Sequence, residues 1–165
     1  MAEKMLDDLF YDTLKDIYYA ERQILKGLPK MMKAAQSPEL KKAFEKHRSE
    51  TEGQIERLQQ VFDIFGKRAM GKTCEAIKGL LEEGEEIIED YEGAPALDAG
   101  LISAAQGVEH YEIARYGTLK RWAEMLDLPE AAKLLDATLK EEYITDEALS
   151  KLAEKINAKA EAPAR

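Results

Sequence analysis

The chain has 165 residues, of which 45% are hydrophobic and 35% are charged, and its formal net charge is −9. This composition excludes a disordered chain and is typical of one globular domain that buries a sizeable core. The negative charge repels phosphate backbones, so we do not expect a nucleic-acid partner. We predict a single domain over residues 1–165, with its core over about residues 5–157 and a frayed C-terminal tail.

Compartment signals in the sequence are few. The N-terminal residues show no leader-peptide pattern, and no apolar run reaches the roughly 18 residues that a membrane span needs. Cys74 is the only cysteine, which excludes an intramolecular disulfide and fits a reducing compartment. Its apolar neighbours predict that Cys74 is buried. We therefore expect a cytoplasmic protein that does not bind membranes.

Apolar residues recur at intervals of three and four along most of the chain, which is the spacing of one helical face. This periodicity predicts five helices, over about residues 6–35, 38–65, 74–91, 96–126 and 129–157. Prolines suited to a first helical turn, Pro38 and Pro129, begin two of them, and Gly66 is a typical terminating glycine. Four long helices and one short helix predict an all-α fold, an antiparallel four-helix bundle with an additional short crossover helix.

The first and last pairs of long helices repeat one pattern. Glu21 and Glu112 each precede the proline that begins the next helix by seventeen positions, and Glu50 and Glu141 each follow that proline by twelve. If the two helix hairpins stack about a pseudo-two-fold axis, four carboxylates lie at one depth of the bundle.

Polar residues interrupt the apolar faces of the first two helices. Glu21 does so in the first helix, and His47, Glu50 and Gln54 lie in the middle of the apolar stripe of the second. Taken singly, such a glutamate is usually an edge residue that reaches solvent, and such a histidine is usually hydrogen-bonded in the core. Taken together, they indicate a shared polar site.

The later helices carry carboxylates at corresponding places. Glu109 and Glu112 are one turn apart on the fourth helix. Glu141 and Glu142 are adjacent on the fifth helix, so at most one of them fully faces the interior. The apolar stripe slightly favours Glu142, whereas the repeat favours Glu141, and Asp146 is expected to face solvent.

Carboxylates gathered inside a bundle need positive charge beside them. An unpaired buried charge is very costly, and like charges side by side force protonation. A pair of metal ions removes both problems, and glutamate and histidine are suitable ligands for iron and manganese. Known di-iron and di-manganese bundles use lone glutamates on two helices and Glu-x-x-His pairs on the other two. Here His47 precedes Glu50, and the fifth helix has no histidine.

Five stretches of the chain closely resemble the YciE/YciF-like family of bacterial ferritin-like, rubrerythrin-like proteins: "YYAERQIL", "FEKHRSETEGQIERLQQVF", "CEAIKGLLEEGEEIIE", "AAQGVEHYEIARYGTLKRWAE" and "AAKLLDATLKEEYITDEALSKLA". The likeness covers about residues 5–157. It implies a ferritin-like bundle of five helices, a cytoplasmic homodimer and an association with bacterial stress responses. The carboxylate ligands that it implies are Glu21, Glu50, Glu109, Glu112 and Glu142. Gly53 and Thr145 stand where the family pattern of Glu-x-x-His would place histidines.

We predict a dinuclear iron or manganese site that acts in redox or peroxide chemistry. The predicted metal ligands are Glu21, His47, Glu50, Glu109, Glu112 and Glu142. The alternative is a non-catalytic, stress-induced structural or interaction protein with a degenerate metal site, so whether the chain is an enzyme stays open. Trp122 and Phe62 are candidates for an exposed face that joins two copies of the chain.

Overall fold

The computed structural model describes residues 3–161. Over this range the chain forms five α-helices and no strands, which confirms the all-α prediction. The helices are α1 (Leu6–Ala34), α2 (Pro38–Phe65), α3 (Glu75–Asp90), α4 (Leu97–Met125) and α5 (Pro129–Ala160). α5 continues into the tail that the sequence predicts to fray, and residues 162–165 of that tail lie outside the described residues.

Local hydrogen bonds fix the break between α1 and α2. Ser37 is the N-cap of α2, and its hydroxyl accepts a hydrogen bond from the backbone N–H of Leu40. Such a cap typically contributes about 1 kcal/mol. The Asp98 carboxylate also accepts from the backbone N–H groups of Gln36, at 2.8 Å, and Ser37, at 2.6 Å. These bonds tie the break to the first turn of α4.

The other boundaries follow from single residues. α2 ends at Gly66, whose φ of 75° is a left-handed conformation that glycine adopts without a steric penalty. α1 continues through Pro29 without a break. Pro129 lies in the first turn of α5, where its missing N–H leaves no helical hydrogen bond unmade.

The four long helices pack around one core. α1 packs on α2 and α4, and α5 packs on α4 and α2, which closes the bundle. α3 lies outside this ring against α4 and α1, in the connection that runs from α2 to α4. No helix in the described range is long and apolar enough to cross a membrane.

Aromatic rings fill part of the core. Phe62 packs edge-to-face against Tyr11 and Tyr18, with ring centroids 6.2 Å and 5.6 Å apart. Phe62 is 0% exposed, so the sequence-based assignment of Phe62 to an exposed face is wrong. The reason is that the buried stripe of α2 is wide here, and Val61 and Phe62 both face inward. Trp122 is half-buried.

Candidate metal centre

Ionisable side chains from three helices meet in the middle of the bundle. α2 contributes His47, α4 contributes Glu109 and Glu112, and α5 contributes Glu142. One potential ligand atom of each side chain lies within 4.8 Å of those of the other three. His47 is 4% exposed and the three glutamates are fully or almost fully buried. We call these four residues the core group.

Glu21 extends the core group on the α1 side. It is fully buried, and its Oε1 accepts a hydrogen bond of 2.6 Å from the hydroxyl of Tyr116. Its carboxylate also contacts that of Glu112. The interior of the bundle therefore holds four glutamates and one histidine.

The two ring nitrogens of His47 face two carboxylates. Nδ1 lies 3.2 Å from Oε1 of Glu109, and Nε2 lies 3.9 Å from Oε2 of Glu112. In the part of the chain that the structure describes, neither Nε2 nor these two oxygens makes a hydrogen bond. Burial, together with the nearby Lys46, lowers the pKa of His47 to about 4. The imidazole is therefore neutral near pH 7, which is the state that binds metals.

Burial raises the pKa of every glutamate in the interior. The pKa of Glu21 rises to about 8 and that of Glu109 to about 7, and the pKa values of Glu112 and Glu142 lie well above their usual range. Neighbouring carboxylates raise these values further, because like charges oppose ionisation. Without a cation, the interior therefore retains protons near neutral pH.

Nine buried side-chain atoms lack a hydrogen-bond partner within residues 3–161. They are Glu21 Oε2, His47 Nε2, Gln54 Oε1 and both carboxylate oxygens of Glu109, Glu112 and Glu142. Leaving such an atom unpaired typically costs about 1–3 kcal/mol, so native proteins rarely gather them. Carboxylate oxygens and imidazole nitrogen suit iron and manganese. The residues present therefore fit the metals that the sequence predicts.

Glu50 lies at the edge of the centre and outside the core group. Its side chain is 18% exposed, and Oε1 is 3.1 Å from Nζ of Lys46. Oε2 accepts a hydrogen bond of 3.2 Å from the hydroxyl of Thr145. Glu141 likewise lies at the edge, so the structure brings Glu142, and not Glu141, into the core group.

The internal repeat accounts for this arrangement. In the repeat, Glu50 of the first hairpin corresponds to Glu141 of the second, and the next residues, Thr51 and Glu142, correspond likewise. Thr51 and Glu142 are the pair that faces the interior. The Thr51 hydroxyl donates to the carbonyl oxygen of His47 at 2.8 Å. The two hairpins thus share a register, but the first carries threonine where the second carries a carboxylate.

Arg57 is a supporting residue that the sequence analysis missed. Its guanidinium donates to both carboxylate oxygens of Glu141, at 2.6 and 2.7 Å, and to the Thr138 hydroxyl at 3.1 Å. Gln54 donates to the same carboxylate at 3.2 Å, which leaves its Oε1 unpaired and buried. The available signal is that Arg57 follows Gln54 by three positions and so shares its helical face.

Other titratable residues lie away from the core group. His110 is on the outside of α4, and its Nε2 is 3.2 Å from Oδ2 of Asp146. Asp146 is half-buried, so it faces solvent only in part. Cys74 is buried as predicted, and its sulfur lies 3.2 Å from the hydroxyl of Tyr111.

A five-helix fold with glutamates and a histidine at its centre defines a ferritin-like helical bundle protein. Residues 5–162 match the family described as "Domain of unknown function (DUF892)", and the chain belongs to this family. Protein YciF of Escherichia coli (strain K12) is 46% identical over 163 residues, which cover 98% of each chain. The sequence-based family resemblance is thus confirmed.

Solved structures agree with this assignment. The crystal structure of the E. coli stress protein YciF matches with a TM-score of 0.90 at 45% identity, over 95% of this chain and 99% of that one. The structure of YcfI from Rhodopseudomonas palustris matches with a TM-score of 0.87 at 44% identity, over 89% and 94% of the two chains. A Xanthomonas campestris protein that is 21% identical, with a TM-score of 0.73 over 93% of each chain, supports the fold alone.

Proposed function

We propose that this chain is a ferritin-like stress-response protein whose bundle core binds two ions of iron or manganese and uses them in redox or peroxide chemistry. The observation that carries the proposal is the meeting of His47, Glu109, Glu112 and Glu142, with one potential ligand atom of each within 4.8 Å of the other three. None of the carboxylate oxygens of these glutamates has a hydrogen-bond partner within residues 3–161. The similarity to a stress protein of E. coli supports the cellular context.

Charge balance favours two ions over one. The four interior glutamates carry four negative charges when they are ionised, which two divalent ions would neutralise. A single divalent ion would leave two negative charges in a buried site, where uncompensated charge is costly. His47 adds a neutral ligand and leaves this balance unchanged.

The metal pair, when bound, would supply one-electron redox chemistry toward dioxygen or a peroxide. The chain's own residues hold the ligands in place. Tyr116 fixes one oxygen of Glu21, whereas Arg57 and Gln54 hold Glu141 at the edge and outside the core group. The Thr145 hydroxyl donates to Oε2 of Glu50 at 3.2 Å, three positions along α5 from Glu142, so we include Glu50 as a candidate ligand from the edge.

Metal analysis by mass spectrometry tests the site on protein purified without chelators. We expect about two iron or manganese ions per chain. Glu112→Gln and Glu142→Gln keep the shape of the side chain but remove a charged ligand, so each should lower metal affinity by at least about tenfold. Glu141→Gln is the matched control and should retain both ions. Glu50→Gln decides whether that edge carboxylate is a ligand.

Peroxide consumption tests the chemistry separately. The rate should require added metal and should disappear in Glu112→Gln but not in Glu141→Gln. A chain that binds no metal, with no rise in melting temperature when iron or manganese is added, would instead be a non-catalytic interaction protein. The proposal also includes a cytoplasmic homodimer, and a monomer by light scattering would contradict that part alone.

A further inference from the structure

A cavity of about 570 Å³ lies between α1, α3 and α4 and reaches the core group. This volume is within the range of about 300–1,000 Å³ that is usual for small-molecule sites. Exposed lysines and glutamates surround its mouth, apolar side chains form its walls, and its floor includes the buried residues Phe44, His47 and Val108. His47 therefore borders both the cavity and the metal centre.

We propose that this cavity binds a small organic anion with an apolar body, its charged group at the mouth and its apolar end beside His47. Binding needs no metal, although the chemical role of the bound molecule rests on the function proposed above. The molecule would place its apolar end next to the centre and exclude water from that side.

The walls account for the apolar body. Ile24 and Leu28 of α1 are buried, and Leu81 and Ile88 of α3 are half-buried beside them. These side chains offer no hydrogen bonds to water, whereas an alkyl or aromatic group would gain roughly 25 cal/mol for each Å² of apolar surface removed from solvent. Burial of apolar surface would thus provide most of the affinity.

Electrostatics determines which end of the bound molecule faces the floor of the cavity. An anionic group on the floor would lie among the buried side chains of Phe44, His47 and Val108, away from the lysines that line the cavity. An ionised group that leaves water without a partner of opposite charge is costly. The charged group is therefore expected at the opposite end, where solvent and lysines are present.

Lys26 is the residue best placed to receive that charge. Three lysines line the mouth, and two of them already form ion pairs, Lys30 with Glu85 at 2.6 Å and Lys78 with Glu75 at 3.3 Å. Among residues 3–161, Lys26 has no carboxylate within 4.0 Å, so its charge is free for a ligand. Glu82 also lines the mouth and opposes anion binding.

Calorimetric titration with decanoate tests the proposal, and decanol serves as a neutral probe with the same tail. We use full-length protein in both its metal-free and metal-loaded forms. Decanoate should bind at one saturable site per chain, and decanol should bind about two- to fivefold more weakly, the effect of one solvent-exposed ion pair. Lys26→Gln should weaken decanoate binding about two- to fivefold, whereas Glu82→Gln should strengthen it.

Gly27 allows the cavity to be filled without disturbing its walls. A Cβ added there would lie 3.8 Å from Cδ2 of Leu81, an ordinary contact, so alanine fits. Gly27→Leu should project into the cavity and weaken decanoate by at least about tenfold, because it takes the space of the apolar body. Gly27→Ala is the control and should bind decanoate as the unchanged chain does.

Three results would overturn the proposal: no saturable decanoate binding, equal affinity for decanoate and decanol, or unchanged binding in a folded Gly27→Leu variant. If Gly27→Leu does not fold, the two charge variants test the proposal instead: Lys26→Gln should weaken decanoate binding and Glu82→Gln should strengthen it. Unchanged affinity in both variants would overturn the proposal. Failure of the metal proposal remains distinguishable, because decanoate should still bind to Glu112→Gln, and Gly27→Leu should still bind metal.

Discussion

The hydrogen bond from Tyr116 to Glu21 links an α4 side chain to an α1 carboxylate inside the bundle. Burial, together with the neighbouring carboxylates, raises the pKa of Tyr116 well above its usual range, so its hydroxyl stays protonated and donates. Removing that hydroxyl leaves both oxygens of Glu21 without a hydrogen-bond partner, because Oε2 already has none among the described residues.

We expect Tyr116→Phe to lower the free energy of unfolding of the metal-free protein by about 1–2 kcal/mol, the cost of one unsatisfied buried acceptor. Urea denaturation measures this change. Tyr18→Phe is the matched control, because within residues 3–161 the Tyr18 hydroxyl accepts a single long hydrogen bond, at 3.3 Å from Nε2 of Gln59. Its removal should lower the free energy of unfolding by less. An equal loss in the free energy of unfolding in the two variants would show that the hydrogen bond to Glu21 contributes no more to stability than the one at Tyr18.

The choice between Glu141 and Glu142 shows the limit of what the sequence can predict about single residues. Neighbouring positions on a helix point about 100° apart, and a broad apolar stripe can include both. What separates them is Arg57, which lies on another helix and holds Glu141 at the edge. No local pattern in α5 contains this information.

At the level of helices, the Arg57–Glu141 pair joins α2 to α5 beside the core group. Burial raises the pKa of Glu141, but its hydrogen bonds with Arg57 and Gln54 lower it more, so the carboxylate stays ionised. Both side chains of the pair are about one-quarter exposed, at 27% and 25%, so solvent screens part of their attraction.

A double-mutant cycle with Arg57→Ala and Glu141→Ala should give a coupling energy of about 1–2 kcal/mol, because a bidentate, partly buried pair holds two helices together. Chemical denaturation of the four proteins measures it. The corresponding cycle at Lys133 and Glu130, whose side chains are 73% and 69% exposed, should show no measurable coupling. A similar result for both pairs would mean that the Arg57 contact does not brace the bundle.

Helix positions were predictable because their causes are local. The spacing of apolar residues, the cap at Ser37 and the glycine at 66 all act within a few positions of the helix that they define. The short crossover helix was predicted, but the packing of α3 against α1 and α4 and the position of Glu50 at the edge were not predictable in this way. They depend on side chains that meet only after the helices pack, such as Lys46 and Thr145 on either side of Glu50.

At the scale of the whole molecule, the buried carboxylates couple folding to pH. In the unfolded chain a glutamate has an ordinary pKa of 4.5. In the folded protein the pKa of Glu21 is about 8 and that of Glu109 is about 7. Between pH 4.5 and about pH 8 these glutamates keep protons in the folded chain that they lose in the unfolded chain. The free energy of unfolding therefore falls as pH rises through this range. His47 acts in the opposite direction, but only between about pH 4 and 6.5.

Metal-free protein should therefore lose stability, on the order of 2 kcal/mol, between pH 6.5 and 8, because the interior glutamates must either hold their protons or ionise in a buried site. Melting curves recorded across this range with a chelator measure the loss. Bound Mn²⁺ should remove the decline, since it replaces the protons and binds more tightly as the carboxylates ionise. Glu130→Gln, in which an exposed carboxylate of α5 is neutralised, should keep the same pH profile. A flat profile for the metal-free chain would show that the interior glutamates ionise without cost, and the physical reason for a metal in this bundle would be lost.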